Sequence, residues 1–575
     1  MARIHNLSEC GESELLQCLE PRDDVLLLEG ALSTAADLTQ SGSATLTAES
    51  GPFVKCERTL RWKPCPTGAT EDSPHKTEQR FQLEQTIDYQ LAVPYWRWLY
   101  AIPVRKALPD GVGKGRHPWW ATPDRLSARQ ATLVASVTLL NMVGGMLYGL
   151  LSQVLTFVAA DLGDGSRSQQ TTLLAVVRIG VVVTLLVMVF ADRIGRRKVA
   201  LASFLTAAAL TLITALAPSL WAVGALQFFS RNLAIAGLLC ADTIAVEEMP
   251  PGSRAMVAGL GTLAYGLGAG IIVMTLPLAD LGGWGWRLTF VVAGLSLPLI
   301  WNVRKHLPES RRFVKLTQDR ESVAVAALGA EIAAEPLAPL IASTNPSSAP
   351  VSASAGSAPT LGSAPRRGSS TGTSEPGSSP SSGRVNLWRF ALVAGIFFLL
   401  NVFLAPASQL QNDYLRTEVG FSAVMIMVFV LTTSFPGAIG VLMGGRFADK
   451  HGRKITIVPG LVAIGIFNAI FFSVVGVPMW FASLLGSVVG GMAAPALAVI
   501  APELFPTAHR GTVRGAVAAI AVAGSVVGLL VAGSLIDARG YGFTFTLLAI
   551  TPLLGAVVAL ALPETRGKEL EEINP

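Results

Sequence analysis

The chain has 575 residues, of which 51% are hydrophobic and only 14% are charged, with a net charge of +5 and a mean hydropathy of +0.51. A soluble protein of this length needs more charge to cover its surface, so the composition predicts a membrane protein. The basic residues form no dense patch with interleaved aromatics, which argues against a nucleic-acid partner, and the five cysteines form no Cys/His cluster, which argues against a metal site.

Residues 1–127 are polar and are predicted to form a cytosolic N-terminal region. Either a small β-rich module or a loosely ordered extension fits this stretch. The β alternative rests on apolar residues that alternate along the chain, at Phe81, Leu83, Ile87, Tyr89 and Leu91. The next segment, "PYWRWLYAIPVRKAL" at 94–108, mixes aromatic and basic residues as a membrane-surface segment does.

Twelve later stretches are apolar and long enough for a helix to cross a hydrocarbon core of ~30 Å. They are 131–158, 170–191, 199–217, 219–246, 255–278, 287–304, 388–412, 421–446, 455–475, 478–500, 513–536 and 543–562. The expected fold is therefore an all-α membrane protein with two six-helix bundles, 128–315 and 386–575. The Ser/Ala/Gly/Pro-rich residues 316–385 between them are predicted to be a disordered cytosolic linker.

Basic residues predict the orientation of these spans. The connections from even-numbered to odd-numbered spans carry clusters such as Arg196, Arg197 and Lys198, whereas the other connections carry single arginines. The positive-inside rule then places the basic connections and both chain termini in the cytosol, with the cell membrane as the expected location.

The two bundles repeat several short motifs. "FADRIGRRKVAL" at 190–201 returns as "FADKHGRKITI" at 447–457, and "AVEEMPPGSRA" at 245–255 returns as "APELFPTAHRG" at 501–511. "LPESRRF" after the sixth span likewise returns as "LPETRGKELEEI" after the twelfth. Two six-helix halves in parallel repeat are typical of a transporter that rocks one half against the other.

With these motifs, residues 128–573 resemble the major facilitator superfamily, and within it the sugar-porter-like and organic-ion branches. The resemblance implies a cytosolic gate of carboxylates and arginines that stabilises the outward-open state. Its expected members are Asp192, Arg193, Arg196, Arg197, Glu248, Arg254, Glu309, Asp449, Arg453, Glu503, Arg510 and Glu564. The alternative is a solvated basic loop with incidental acids. The family's glycine four residues before the motif aspartate is present as Gly445 but is replaced by Met188 in the first half.

In this architecture, spans 1, 4, 7 and 10 are expected to line the central cavity. Polar or small residues recur at helical spacing on spans 1 and 7, and we expect them to face the cavity unless they serve helix–helix hydrogen bonding. The polar members are Asn141, Tyr148 and Ser152, and Asn401, Ser408 and Asn412.

Three charged residues interrupt the apolar spans. Arg178 and Arg231 are either structural anchors or groups that attract an anionic substrate. Asp242 lies on the same face of span 4 as Arg231, about 16 Å along the axis, which is too far for a direct pair. Because span 1 holds no acid, Asp242 is the candidate for proton coupling.

The prediction is a monomeric secondary transporter that moves a small polar organic solute, an organic anion or a sugar-like metabolite, by alternating access with proton coupling. Its partners are that solute, protons and the lipid bilayer. No nucleophile–base pair and no phosphate-binding glycine loop is recognisable, so neither an enzyme nor a cofactor is expected. The alternatives are a drug or metabolite efflux antiporter on the same fold, and a transporter-derived sensor that signals through the N-terminal region.

Overall fold

A computed structural model describes residues 2–24, 26–30, 41–65, 80–110, 120–164, 166–250, 253–309, 318, 386–505 and 510–564. Almost all of the predicted linker, and the chain after Glu564, lie outside the described residues. Within the described helices, the side chains of Asp110, Asp192, Ala255, Asp449, residues 501–503 and residues 510–512 are also outside the description.

The N-terminal region contains a five-stranded antiparallel sheet, which confirms the β alternative. The strands lie in the order β1-β5-β4-β3-β2, and two helices, α1 (Glu12–Leu19) and α2 (Arg97–Asp110), accompany them. The strands are β1 (Ala2–Gly11), β2 (Leu28–Glu29), β3 (Gly42–Ser50), β4 (Phe53–Pro64) and β5 (Arg80–Leu91). All five alternating apolar residues predicted for a strand lie in β5 and are buried.

One face of this sheet is covered and the other is open. Leu15 and Leu19 of α1 pack on part of the covered face, and Val104 and Leu108 of α2 belong to a second core cluster on the sheet. This one-sided burial explains the period-2 pattern, because successive side chains of a strand point to opposite faces of the sheet.

The membrane part contains the predicted spans, with boundaries that differ by several residues. Six spans precede the linker: Ala128–Leu162, Arg167–Ile179 with Val181–Ile194, Arg196–Thr214, Leu220–Glu248, Arg254–Thr275 with the 3-10 segment Leu276–Asp280, and Gly285–Gly294 with Leu297–Val303. Six follow it: Leu387–Gln409, Ala423–Ser434 with Gly437–His451, Arg453–Phe471, Val477–Gly491 with Ala493–Glu503, and Arg510–Leu548 with Ile550–Leu560, which make up the last two.

The described residues contain 11 helices that are long and apolar enough to cross a membrane. The last of them, Val513–Leu560, has 48 residues, about 72 Å of helix at 1.5 Å per residue, and therefore enough for two crossings. Gly540 interrupts it with a φ of 78°, which separates span 11 from span 12.

The repeated "FAD" motifs each end in a glycine that the backbone requires. Gly195 and Gly452 both join one span to the next, with φ values of 114° and 116°. An L-residue with a side chain rarely adopts such angles, so glycine stands at the same point of both halves for the same steric reason.

The N-terminal domain packs on one end of the first six spans, which we call the sheet face. The hydroxyl of Thr132 donates to the carbonyl of Ala92 at 2.9 Å, and Tyr95 hydrogen-bonds to His306 just after span 6 at 3.0 Å. Ser253, between spans 4 and 5, receives a hydrogen bond from the backbone of Asp124 at 3.0 Å. The opposite end of the bundle is called the far face.

Candidate functional site

A buried arginine and a half-buried one meet at the boundary between the two halves. Arg231 of span 4 lies over the ring of Tyr148 of span 1, with its guanidinium carbon 3.8 Å from the ring centroid. Arg178 of span 2 lies within electrostatic range of both. Its Nε donates at 2.8 Å to the amide oxygen of Gln409, at the end of span 7, when that amide is oriented to accept. The three predicted residues Arg178, Arg231 and Tyr148 therefore form one cluster, to which the second half contributes Gln409.

This cluster has excess positive charge. Arg231 is 4% exposed, and its buried Nη1 has no hydrogen-bond partner among the described residues. Ion pairs in the described part of the chain join neither Arg231 nor Arg178 to a carboxylate. A buried cation and an unpaired donor both cost free energy, so the arrangement favours an anion that would accept from them.

Asp242 lies closer to the sheet face than Arg231 on span 4, and it contacts span 1. The side-chain nitrogen of Asn141 donates to Asp242 Oδ1 at 2.9 Å and to the carbonyl of Val137 at 3.1 Å. Asp242, Leu239 and Val246 form an exposed strip on the helix face that also carries Arg231.

The other residues of the predicted polar stripes separate into two groups. Ser152, Asn401 and Ser408 bond to carbonyls of their own helices and are only partly buried or exposed. Asn412 instead crosses to the first half, where its amide nitrogen donates to the backbone and side-chain oxygens of Gln153 at 2.9 and 2.8 Å. Asn412 therefore belongs to a contact between the halves near the far face.

Two equivalent carboxylates connect the halves at the far face. Asp537 of span 11 accepts from the backbone nitrogens of Arg167 and Ser168 at 3.0 and 2.9 Å, at the start of span 2. Asp280 at the end of span 5 accepts from the backbone nitrogen of Ala423 at 2.6 Å, at the start of span 8. Each carboxylate thus caps a helix of the opposite half, where backbone N–H groups and the helix dipole favour negative charge.

A buried carboxylate adds a second far-face contact. Asp413 is 1% exposed; it accepts a hydrogen bond from the hydroxyl of Tyr541 and lies 3.4 Å from the guanidinium of Arg167 in the first half. Arg416 pairs with Asp280 at 2.9 Å. A cavity of about 360 Å³ opens beside these residues and also contacts Asp161 and Trp286.

The sheet face shows a different pattern, since its described contacts stay within one half. Glu309, after span 6, accepts from the backbone nitrogen of Arg197 at 3.1 Å, at the start of span 3. Glu564, after span 12, accepts from the backbone nitrogens of Arg453 and Lys454 at 2.8 and 3.1 Å, at the start of span 9. Both glutamates therefore cap the helix that follows the repeated glycine of their own half.

Three of the remaining predicted gate residues, Arg196, Glu248 and Arg254, have described partners inside the first half. Arg196 pairs with Glu247. Glu248 lies 3.9 Å from Arg129 of span 1, and Arg254 donates to the carbonyl of Met249 at 3.1 Å, while Arg193 is exposed. The side chains of Asp192, Asp449, Glu503 and Arg510 lie outside the described residues.

The helices that pack between the two halves also do so at the far face. The first helix of span 2 (Arg167–Ile179) packs on span 11, and the first helix of span 8 (Ala423–Ser434) packs on span 5. Both are the far-face portions of spans that break midway, at Gly180 and at Phe435–Pro436. Between described residues, the polar contacts that join the halves lie at the far face, apart from that of Arg178 in the middle. The far face is therefore the closed end of the path between the halves.

Comparison with known proteins gives the fold of the membrane part and a family match for its second half. The sequence model of the Major Facilitator Superfamily matches residues 390–574. The inward-open xylose transporter XylE from E. coli superposes with a TM-score of 0.54 at 16% identity, covering 77% of this chain and 99% of that chain. The second six-span half therefore matches the major facilitator superfamily by sequence, and the membrane part as a whole has the fold of XylE.

Two curated relatives match most of this chain. The cis,cis-muconate transport protein of Acinetobacter baylyi is 25% identical over 386 residues, which is 65% of this chain and 80% of that protein. The glucose transporter GlcP of Staphylococcus epidermidis is 24% identical over 468 residues, which is 76% of this chain and 96% of that protein. The predicted class of function is confirmed: the chain is a secondary transporter of a small polar solute.

Sequence reasoning missed the far-face carboxylates and Gln409. The repeat did carry a signal for two of them, because Asp280 and Asp537 are 257 positions apart, the same offset as the two "FAD" motifs. Their N-capping serines show a similar offset, with Ser166 before span 2 and Ser422 before span 8. Nothing comparable marks Gln409, whose partner lies in the other half of the chain.

Proposed function

We propose that the protein carries a small organic carboxylate across the membrane by alternating access, with Arg178 and Arg231 as the groups that bind it. The observation that carries this proposal is a buried guanidinium group, that of Arg231, beside the half-buried one of Arg178, neither of which a described carboxylate neutralises. A planar carboxylate would accept from Arg231 Nη1 and offset the cost of the buried charge. The similarity to the cis,cis-muconate transport protein supports this substrate class, since muconate is an organic dianion.

The orientation follows from the basic residues. Arg196, Arg197 and Arg254 lie at the sheet face, and the positive-inside rule then makes that face cytosolic and the far face extracellular. With the far face closed, the described conformation corresponds to the inward-facing state. The strip that runs from Asp242 toward the sheet face is then the wall of the open cavity.

Proton coupling is assigned to Asp242. Its carboxylate is exposed on the same helix face as Arg231, so protons from the open cavity reach it. The amide of Asn141 suits both protonation states, because its nitrogen donates to a carboxylate and, after rotation, its oxygen accepts from a carboxylic acid. Neutralising a carboxylate changes the free energy of moving it through a dry occluded state, which is how a proton can be tied to the conformational cycle.

Transport into proteoliposomes tests the proposal, with radiolabelled cis,cis-muconate as the anionic probe and glucose as the neutral one. An inward proton gradient should drive muconate accumulation. Arg231→Gln should weaken muconate binding about ten- to hundredfold, the value of a charge-assisted hydrogen bond to a buried guanidinium. Arg287→Gln is the matched control, because Arg287 is a partly exposed far-face arginine that pairs with Asp161 at 3.0 Å.

Asp242→Asn separates coupling from binding. This variant should retain exchange of labelled for unlabelled muconate but lose accumulation against a gradient.

Other outcomes would favour other functions. The carboxylate assignment would be overturned if the protein took up glucose but no muconate, and if Arg231→Gln left the glucose uptake unchanged. Extrusion of solute in exchange for protons would favour the efflux antiporter instead. A cellular response lost on deleting the N-terminal region, with transport intact, would favour the sensor.

A further inference from the structure

Helix α2 of the N-terminal domain presents an apolar surface that no described element covers. Trp98, Leu99 and Ile102 are 71%, 51% and 78% exposed, whereas Val104 and Leu108 on the opposite side are buried in the domain core. The helix is therefore held in place by one face while large apolar side chains project from the other. Contiguous exposed apolar side chains of this size mark an interaction surface.

Basic residues continue the same exposed face toward the end of the helix. At 100° per residue, Arg105 and Lys106 lie on the side of α2 that carries Trp98 and Ile102, about 11 Å further along the axis. Both are exposed, and the stretch from Arg97 to Pro109 contains no acidic residue. An apolar patch followed by cations matches a bilayer surface, where acyl chains lie beneath anionic headgroups.

The depth of the helix in the membrane follows from its attachment to span 1. Trp96, just before α2, donates from its indole nitrogen to the carbonyl of Ala135 at 3.1 Å. At the far end of the same span, Asp161 accepts from Trp286 and Arg287 at 3.0 Å each. The 26 residues from Ala135 to Asp161 correspond to about 39 Å of helix, close to the ~40–45 Å thickness of a bilayer with its headgroups. Trp96 therefore lies at the headgroup level of the sheet-face leaflet.

We propose that α2 is a lipid-binding site that inserts Trp98, Leu99 and Ile102 into the interface of this leaflet and holds anionic headgroups with Arg105 and Lys106. The proposal does not depend on the transported solute or on the sidedness of the protein. Because the connection from Ala92 to Trp96 contacts span 1 and His306, the N-terminal domain is fixed to the first half and to its lipids together.

A spin-label experiment on the full chain tests this site. A single cysteine carrying a nitroxide is placed at Ile102, or at Leu16 of α1 as the matched control, since Leu16 is also an apolar residue and is 50% exposed. The five native cysteines are replaced, and the protein is put in nanodiscs of phosphatidylcholine with roughly one-third phosphatidylglycerol. The label at 102 should collide more with oxygen than with a water-soluble nickel chelate, and the label at 16 should show the reverse.

A second part of the spin-label experiment tests the two basic residues. Arg105→Gln with Lys106→Gln should lower the oxygen preference of the label at 102 in the anionic nanodiscs and leave it unchanged in pure phosphatidylcholine. A label at 102 as water-accessible as that at 16 would overturn the proposal. So would spin–spin broadening, which indicates a second copy on this surface, or low collision with both probes, which indicates cover by protein.

A second measurement avoids the cysteine replacements. Lipids brominated near the headgroup should quench the fluorescence of Trp98, so the Trp98→Phe chain should lose more of the quenchable signal than the Trp120→Phe chain. Trp120 is the control because it packs against Tyr100 within the N-terminal domain. Equal losses from the two variants would contradict insertion.

Discussion

The two far-face carboxylate caps should set the balance between the conformations of this transporter. Asp280 and Asp537 each bind the start of a helix in the opposite half, so separating the halves at the far face would break these bonds. A carboxylate at an exposed helix N-terminus contributes about 0.3–1 kcal/mol. Asp280→Asn with Asp537→Asn should therefore move the equilibrium toward the far-face-open state by about three- to thirtyfold, since both contributions favour the same state.

Distance measurements between spin labels at Leu216 and Val475 follow this change. Both residues are well exposed in far-face connections, one in each half, so labels there should not disturb the fold. The double variant should increase the population with the longer distance. Asp161→Asn is the matched control, because Asp161 is a far-face carboxylate whose described partners, Trp286 and Arg287, belong to its own half. An unchanged distance distribution in the double variant, or the same shift in the control, would refute the role assigned to the caps.

Two further predictions concern a close contact between helices and a buried ion pair. A Cβ on Gly533 of span 11 would overlap the hydroxyl of Thr171 in span 2, so Gly533→Leu should hold the far face open, as read by the same labels, whereas Ser534→Leu, at an exposed position one residue later, should not. In the N-terminal domain, Glu29 and Arg58 form a nearly fully buried ion pair. Glu29→Gln leaves the guanidinium uncompensated and should destabilise the domain by about 3–5 kcal/mol, measured by its thermal unfolding, and an unchanged Tm would contradict the role of this pair.

Local patterns predicted the elements of this protein well. The positions of the spans followed from apolar length, because a bilayer demands a minimum run of apolar residues. The strand β5 followed from alternation at Phe81 to Leu91, because only one face of the sheet is covered. The repeat also predicted equivalent turns in the two halves, and Gly195 and Gly452 do share an unusual backbone angle.

Single site residues were predicted less evenly. Arg178 and Arg231 were recognisable because a charged side chain within an apolar span costs free energy and is therefore rare. Glu309 and Glu564 stood out through the motif after each sixth span, although their bonds to backbone nitrogens were not foreseen. Asn412 was assigned to the cavity, and its contact with Gln153 across the halves was not foreseen, because helical spacing gives the face of a residue but not what lies opposite it.

The sequence by itself determined the membrane class, the two six-span halves, their repeated turns and the two intramembrane arginines, since each depends on composition or spacing within one segment. The tertiary structure alone decided which residues meet between the halves: Arg178 with Gln409, Arg167 with Asp413, and each carboxylate cap with the opposite helix. These partners are separated by more than 140 positions, as for Asp280 and Ala423, or by up to 370, as for Arg167 and Asp537. Such contacts depend on which end of the two bundles is closed, and that is a property of their packing rather than of any local pattern.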